Sequence, residues 1–261
     1  MKFLCFIAGI TFIYPHTNWL HKKQKGFVIH YKAEDVIHIP AYNSLVEKGM
    51  KETKTFFFAD YKNEFHVYIH PDRNSLDSTW QHDWHLPEFK SECWMVASGI
   101  ADRLDMISPV QWTTQSCEHD NSNTAETQRL ITHELVHIYH AQRNKSKDFS
   151  QTQNLDWFVE GLATYASGQL TKEKISELKQ AIGENRIPLS LNDFWKGRMR
   201  YQLSGSVVLF IDKKYGRKKL ISVLPLTKKS EVLAALNISE QSLLKDWATF
   251  MLKQESLPEG G

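Results

Sequence analysis

Two histidines four residues apart, set in a stretch of chain with an apolar face, place the hardest condition on any fold this sequence adopts. The pentapeptide His133-Glu134-Leu135-Val136-His137 follows Leu130-Ile131 and is interleaved with its own apolar residues. The spacing predicts a helix, on which side chains four apart share one face, one turn apart. A buried polar cluster is costly unless it is partnered, so another segment must fold against this one to complete it. Two imidazoles so placed can converge on one tetrahedral ion. Glu134 lies about 100° round the helix, outside the ligand pair but beside it. That is a position from which a carboxylate takes a proton from an activated water. A shuffled chain of this composition shows the pattern with a chance of about 0.04, so its surroundings have to decide.

A catalytic ion needs a third protein ligand and an open position. His140 shares the stripe, but seven residues rise about 10.5 Å along a straight helix. Both ends cannot reach one ion at about 2 Å, so His140 reads as a packing or supporting residue. Glu160, in Trp157-Phe158-Val159-Glu160-Gly161-Leu162-Ala163, is the better candidate. Gly161, Ala163 and Ala166 are expected to let its helix come close to the His133 helix. The polar segment 144–154 is long enough to reverse the chain between them.

With 41% hydrophobic residues in 261, the chain can bury a sizeable core. Its 32 basic and 30 acidic residues leave a net charge of +2. That balance argues against nucleic acid or an anionic membrane as the main partner. Residues 3–14 are apolar and follow Lys2. Twelve residues are too few to span a bilayer, which takes about 20. Residues 1–22 therefore read as an export signal or an uncleaved N-terminal membrane anchor, with a buried first strand as the alternative. An exported location, periplasmic, extracellular or membrane-anchored, is the expectation. There Cys93 and Cys117 could pair, whereas in a reducing compartment they would be ordinary core residues.

Periodicity predicts strands at 27–31, 64–70, 94–100 and 106–113 and a helix at 40–53. Pro109 marks the last strand as an edge or a bulge. From about residue 123 the chain becomes helical, over 124–143, 156–167, 171–182, 201–215, 218–224, 231–236 and 239–254. The order is α+β: a mixed lobe at 26–119, then a helical lobe at 120–257 carrying the candidate site. The run Trp80-Gln81-His82-Asp83-Trp84-His85 reads as an aromatic surface loop, with part of a substrate pocket or a second metal site as the alternatives.

H-E-x-x-H followed by W-x-x-E-G-x-A resembles the gluzincin branch of zinc metallopeptidases, and the chain is similar to its peptidase-MA-like group. The likeness extends to Val67-Tyr68-Ile69 with Pro71-Asp72, to Tyr201, Gly205-Ser206, Tyr215-Gly216 and Leu220, and to Ala234-Ala235-Leu236, Leu244 and Trp247. It implies a zincin-like fold with the active site between the lobes and one Zn2+ held by His133, His137 and Glu160. It further implies Glu134 as general base and a peptide or protein as substrate. Tyr201, by position and by this resemblance, is the expected donor to the reaction's oxyanion, with Tyr165 as a rival. The strand at 106–113 is the expected edge for an extended substrate. Two departures matter. Thr164 stands where thermolysin-like members carry an Asp that orients a zinc histidine. The G-x-M-E-N signature is absent, which argues against capture of a free amino terminus. A zinc hydrolase of a non-peptide substrate and a non-catalytic binding protein on the same fold are the alternatives.

Overall fold

The structure, a computed structural model, describes residues 19–253. The apolar segment at 3–14, and with it the expected signal or anchor, lies outside the described residues. Leu20–Gln24 already form strand β1, so a leader ending at residue 22 would cut into the sheet.

The chain continues through β2 (Phe27–Tyr31), α1 (Ile39–Phe57), β3 (Phe65–His70), α2 (Arg73–Asp83), β4 (Ala97–Ile100) and β5 (Arg103–Ile107). Then come α3 (Trp112–Gln115), α4 (Thr124–Ala141), α5 (Asp156–Ala166), α6 (Lys172–Gly183) and α7 (Arg200–Tyr215). The last are α8 (Arg217–Ser222), α9 (Lys229–Leu236) and α10 (Glu240–Lys253). A small sheet followed by helices agrees with the expected α+β order.

The sheet order is β1-β2-β3-β5-β4. β2, β3 and β5 run parallel, and the two outer strands are antiparallel to their neighbours. Alternation along β2 and β3 sends Phe27, Ile29, Phe65, Val67 and Ile69 to one face, where all five are fully buried. Helices α1 and α4 cover that face with Val46, Met50, Leu130, Ile131, Leu135 and Ile138. Each such side chain contributes about 1.5–3 kcal/mol on burial. Val136 and Tyr139, on the other side of α4, enter a second core formed with the later helices. One helix thus joins both cores, and the metal motif sits on it.

Three expectations need correction. The strand placed at 106–113 is β5 at Arg103–Ile107; the chain then turns through a short 3-10 segment at Pro109–Gln111 into α3. Pro109 opens that turn, so it ends the strand rather than marking an edge. β5 is flanked on both sides by β3 and β4, so the sheet edge on this side is β4. The run at 80–85 is no surface loop at its start: Trp80 is a buried residue of α2, with Trp84 stacked on it at 4.9 Å. Gly161 does not bring α5 toward α4. It faces α7, where a Cβ on Gly161 would lie 2.4 Å from the Ser204 carbonyl oxygen. Gly205 answers it: a Cβ there would come within 2.8 Å of Thr164 Cγ2.

The opposite face of the sheet is only partly covered. α2 lies over its β3–β5 side, where fully buried His70 bonds Asp105 Oδ1 through Nε2 and Ser75 Oγ through Nδ1, both at 3.0 Å. Over β1 and β2 the outward side chains, among them His21 and His30, meet solvent or one another.

Candidate metal centre

Helix α4 begins at Asn123, whose side-chain oxygen accepts the Glu126 N–H at 3.2 Å. Three turns on, His133 and His137 point the same way, with Nε2 atoms 3.0 Å apart. Glu160 arrives from α5, its Oε2 lying 3.3 Å from His133 Nε2 and 3.5 Å from His137 Nε2. A tetrahedral ion with ligands at about 2.05 Å spaces them about 3.3 Å apart. The three contacts bracket that value, so the donor set fits a zinc-sized ion. These residues could hold a metal, and among the described residues no other group of three His, Cys, Asp or Glu has its ligand atoms all within 4.8 Å of one another.

Electrostatics separate the two carboxyls. Burial acts to raise the Glu160 carboxyl, but the charges and hydrogen bonds of His137 and His133 outweigh it and hold it well below the usual range. Glu134, 9% exposed, is pushed up to about 7, chiefly by burial, against the lowering effect of His133. One carboxylate is thus fitted to stay ionised among the imidazoles, and the other to exchange a proton near neutrality.

The partner that orients His133 is Gln169, whose Oε1 accepts from Nδ1 at 2.8 Å. That bond leaves the Nε2 lone pair facing His137 and Glu160. Gln169 is placed by the left-handed turn at Gly168, φ 74°, which ends α5 and folds the chain back toward the imidazoles. The sequence offered a faint signal for it: a polar residue just past a helix-stopping glycine. Thr164 does not substitute for the missing Asp. It packs on Gly205, and its hydroxyl has no partner among the described residues.

His140 is fully buried and donates from Nε2 to the Leu224 carbonyl at 3.1 Å. Burial pushes it down to about 3, so it stays neutral. It supports the turn after α8 and does not join the ligand atoms.

The two candidate tyrosines part company. Tyr165 turns to α7 and donates to Asp212 Oδ2 at 2.8 Å. Tyr201, in the first turn of α7, has its ring 6.3 Å from that of His133. Burial and the nearby Glu160 charge push its hydroxyl up to about 12, so it remains a donor. Arg200 lies 4.9 Å from the Tyr201 ring centre and 4.7 Å from that of Trp94, tying the start of α7 to the segment before β4.

A cleft of about 880 Å3 runs over these groups, lined by His133, Glu134, His137, Glu160, Tyr201 and residues 94–100. β4 is thus both the sheet edge and a wall of the cleft. It lies so close to α4 that a Cβ on Gly99 would meet the Glu134 carbonyl oxygen at 2.3 Å. At the rim, Cys93 and Cys117 are joined as a disulfide, with their Cα atoms 5.5 Å apart.

No known protein-family profile matches this chain, and no curated protein sequence matches it. Among solved structures, similar ones include a two-domain M1 zinc metallopeptidase bound to L-tryptophan, at 14% identity and a TM-score of 0.46. An M1 zinc metallopeptidase from Deinococcus radiodurans is similar at 13% identity and a TM-score of 0.45. Each likeness covers 89% of this chain and 49% of the other, so the chain spans about half the length of these structures.

Proposed function

We propose that the protein is a zinc-dependent hydrolase of the gluzincin type that cleaves peptide bonds. The observation that carries this reading is the convergence of His133, His137 and Glu160 at tetrahedral ligand spacing, with the buried Glu134 carboxyl beside them.

His133, His137 and Glu160 would hold the ion, and Gln169 fixes the His133 tautomer. When bound, zinc would supply Lewis-acid polarisation of a carbonyl and of a water. Glu134 takes the attacking water's proton and passes it to the leaving amine. The Tyr201 hydroxyl donates to the oxygen that gains charge as the carbonyl becomes tetrahedral. The outer edge of β4 offers backbone N–H and C=O groups to an extended peptide. The substrate edge expected at 106–113 therefore passes to residues 97–100. The Cys93–Cys117 pair supports an oxidising, exported location as part of the same proposal.

The test is Glu134→Gln. Peptide cleavage should disappear while zinc content stays at that of the wild type, measured by elemental analysis of the same preparation. Full activity in Glu134→Gln would remove the mechanism. Chelator-sensitive cleavage of esters but not peptides would move the reading to a non-peptide hydrolase.

A further inference from the structure

A second group of histidines lies on the open face of the sheet, on the other side of the molecule's first core. His21, His30 and His66 come from the adjacent strands β1, β2 and β3. His21 pairs directly with His30, and His66 sits one step diagonal to it, opposite Val28. The alternation that buries Phe27, Ile29, Phe65 and Val67 turns all three histidines outward.

Their spacing is that of ligands. His30 Nε2 and His66 Nδ1 are 2.9 Å apart, against 3.0 Å for the two Nε2 atoms of the helix pair. Two imidazoles on a tetrahedral ion have ring centres about 5 Å apart. The sheet pair is at 5.1 Å and the helix pair at 4.7 Å. His21, at 6.1 Å from His30, stands about 1 Å wider than that spacing. It is exposed, and its role is limited to assisting the closer pair. His30 is held in place by stacking on Tyr68, with ring centres 4.3 Å apart and planes 8° apart.

Among the described residues, the neighbouring charges leave these imidazoles without an acid of their own. Asp83 and Asp105 are taken by Arg103, and Glu64 by Lys23. A cation held between His30 Nε2 and His66 Nδ1 accounts for their close approach, with the exposed His21 ring beside the pair. An all-imidazole, water-accessible set suits Zn2+, Cu2+ or Ni2+ and not Mg2+ or Ca2+.

We propose that His30 and His66, assisted by His21, form a second transition-metal site on the outer face of the sheet. It is separate from the cleft and independent of the peptidase reading. Water completes the coordination, so the site binds more weakly than the carboxylate-containing set on α4 and α5.

Calorimetric titration of the chelator-treated, dialysed full-length protein with Zn2+ tests it. Wild type should take two equivalents, one tight and one weaker. His30→Gln and His66→Gln should each lose the weaker equivalent and keep the tight one, and His21→Gln should weaken it. Glu160→Ala should lose the tight equivalent and keep the weaker. Loss of only the tight class in the wild type would sink the peptidase reading and leave this one standing. A single equivalent unaffected by the two sheet variants would overturn the second site. So would a weaker equivalent that survives in both His30→Gln and His66→Gln.

Discussion

The chain carries two histidine pairs with almost the same spacing and almost opposite surroundings. His133 and His137 lie on one buried helix, braced by Gln169 and faced by Glu160. His30 and His66 lie on two strands at the surface, braced by the Tyr68 ring and faced by no carboxylate. Equal spacing makes both able to gather an ion. Only the first has a further carboxyl, Glu134, a tyrosine hydroxyl, Tyr201, and a cleft within reach. The lesson is that ligand geometry is easy to build on a helix or on a sheet. Chemistry requires a third and fourth group that the local element cannot supply.

The largest expected effect separates the pairs by activity. Glu134→Gln should lower kcat by about 10^2- to 10^4-fold, the range of a lost general base. His30→Gln should leave kcat unchanged in the same assay. Equal losses in both would break the comparison.

A steric test comes next. Gly99→Ala puts a methyl against the α4 backbone and should cost about 3 kcal/mol, a fall in Tm of roughly 6–12 °C. Gly183→Ala is its control: nothing lies within 4 Å of a Cβ there, and alanine should be neutral or gain about 0.5–1 kcal/mol. Thermal unfolding of the two variants side by side decides whether β4 and the metal helix are as tightly apposed as described.

Gln169→Leu should weaken zinc binding at the helix pair by about 10- to 100-fold. The weaker equivalent at the sheet should be untouched, and competition with a chelator of known affinity reads both. An unchanged helix site would mean that Gln169 does not orient His133. The smallest effect belongs to His66→Gln, on an open strand. Its stability should stay within about 0.5 kcal/mol of wild type by urea denaturation, even though it loses a metal equivalent.

The helix pair was legible in the sequence because helical period and liganding spacing coincide over five residues. Glu160 was legible through its own motif, but the reason given for its approach was misplaced. Gly161 makes room for α7, and only the three-dimensional pairing with Gly205 shows that. The sequence pattern extends β5 to residue 113 because a proline is compatible with an edge strand, while the 3-10 turn that Pro109 opens is local and weakly patterned. Trp80 was misread because its neighbours are polar; the helix that buries it is set by the Asp72 cap. Gln169 leaves only the faint signal of its place after Gly168, and the sheet histidines leave none, for a common reason. Their partners lie 36 residues away in each case, and no pattern within one element reports a contact of that range.

The paired glycines have a consequence for how the site can change. Gly161 neighbours Glu160, and Gly205 is four residues, about one turn, beyond Tyr201 on α7. With no side chains between them, α5 and α7 form one block carrying both Glu160 and Tyr201. α4, gripped by Gly99, forms another that carries His133, Glu134 and His137. On the proposed mechanism, drift at the seam of the first block therefore cannot tune metal affinity and oxyanion binding separately: the two traits are inherited together, through a contact that touches neither metal nor substrate.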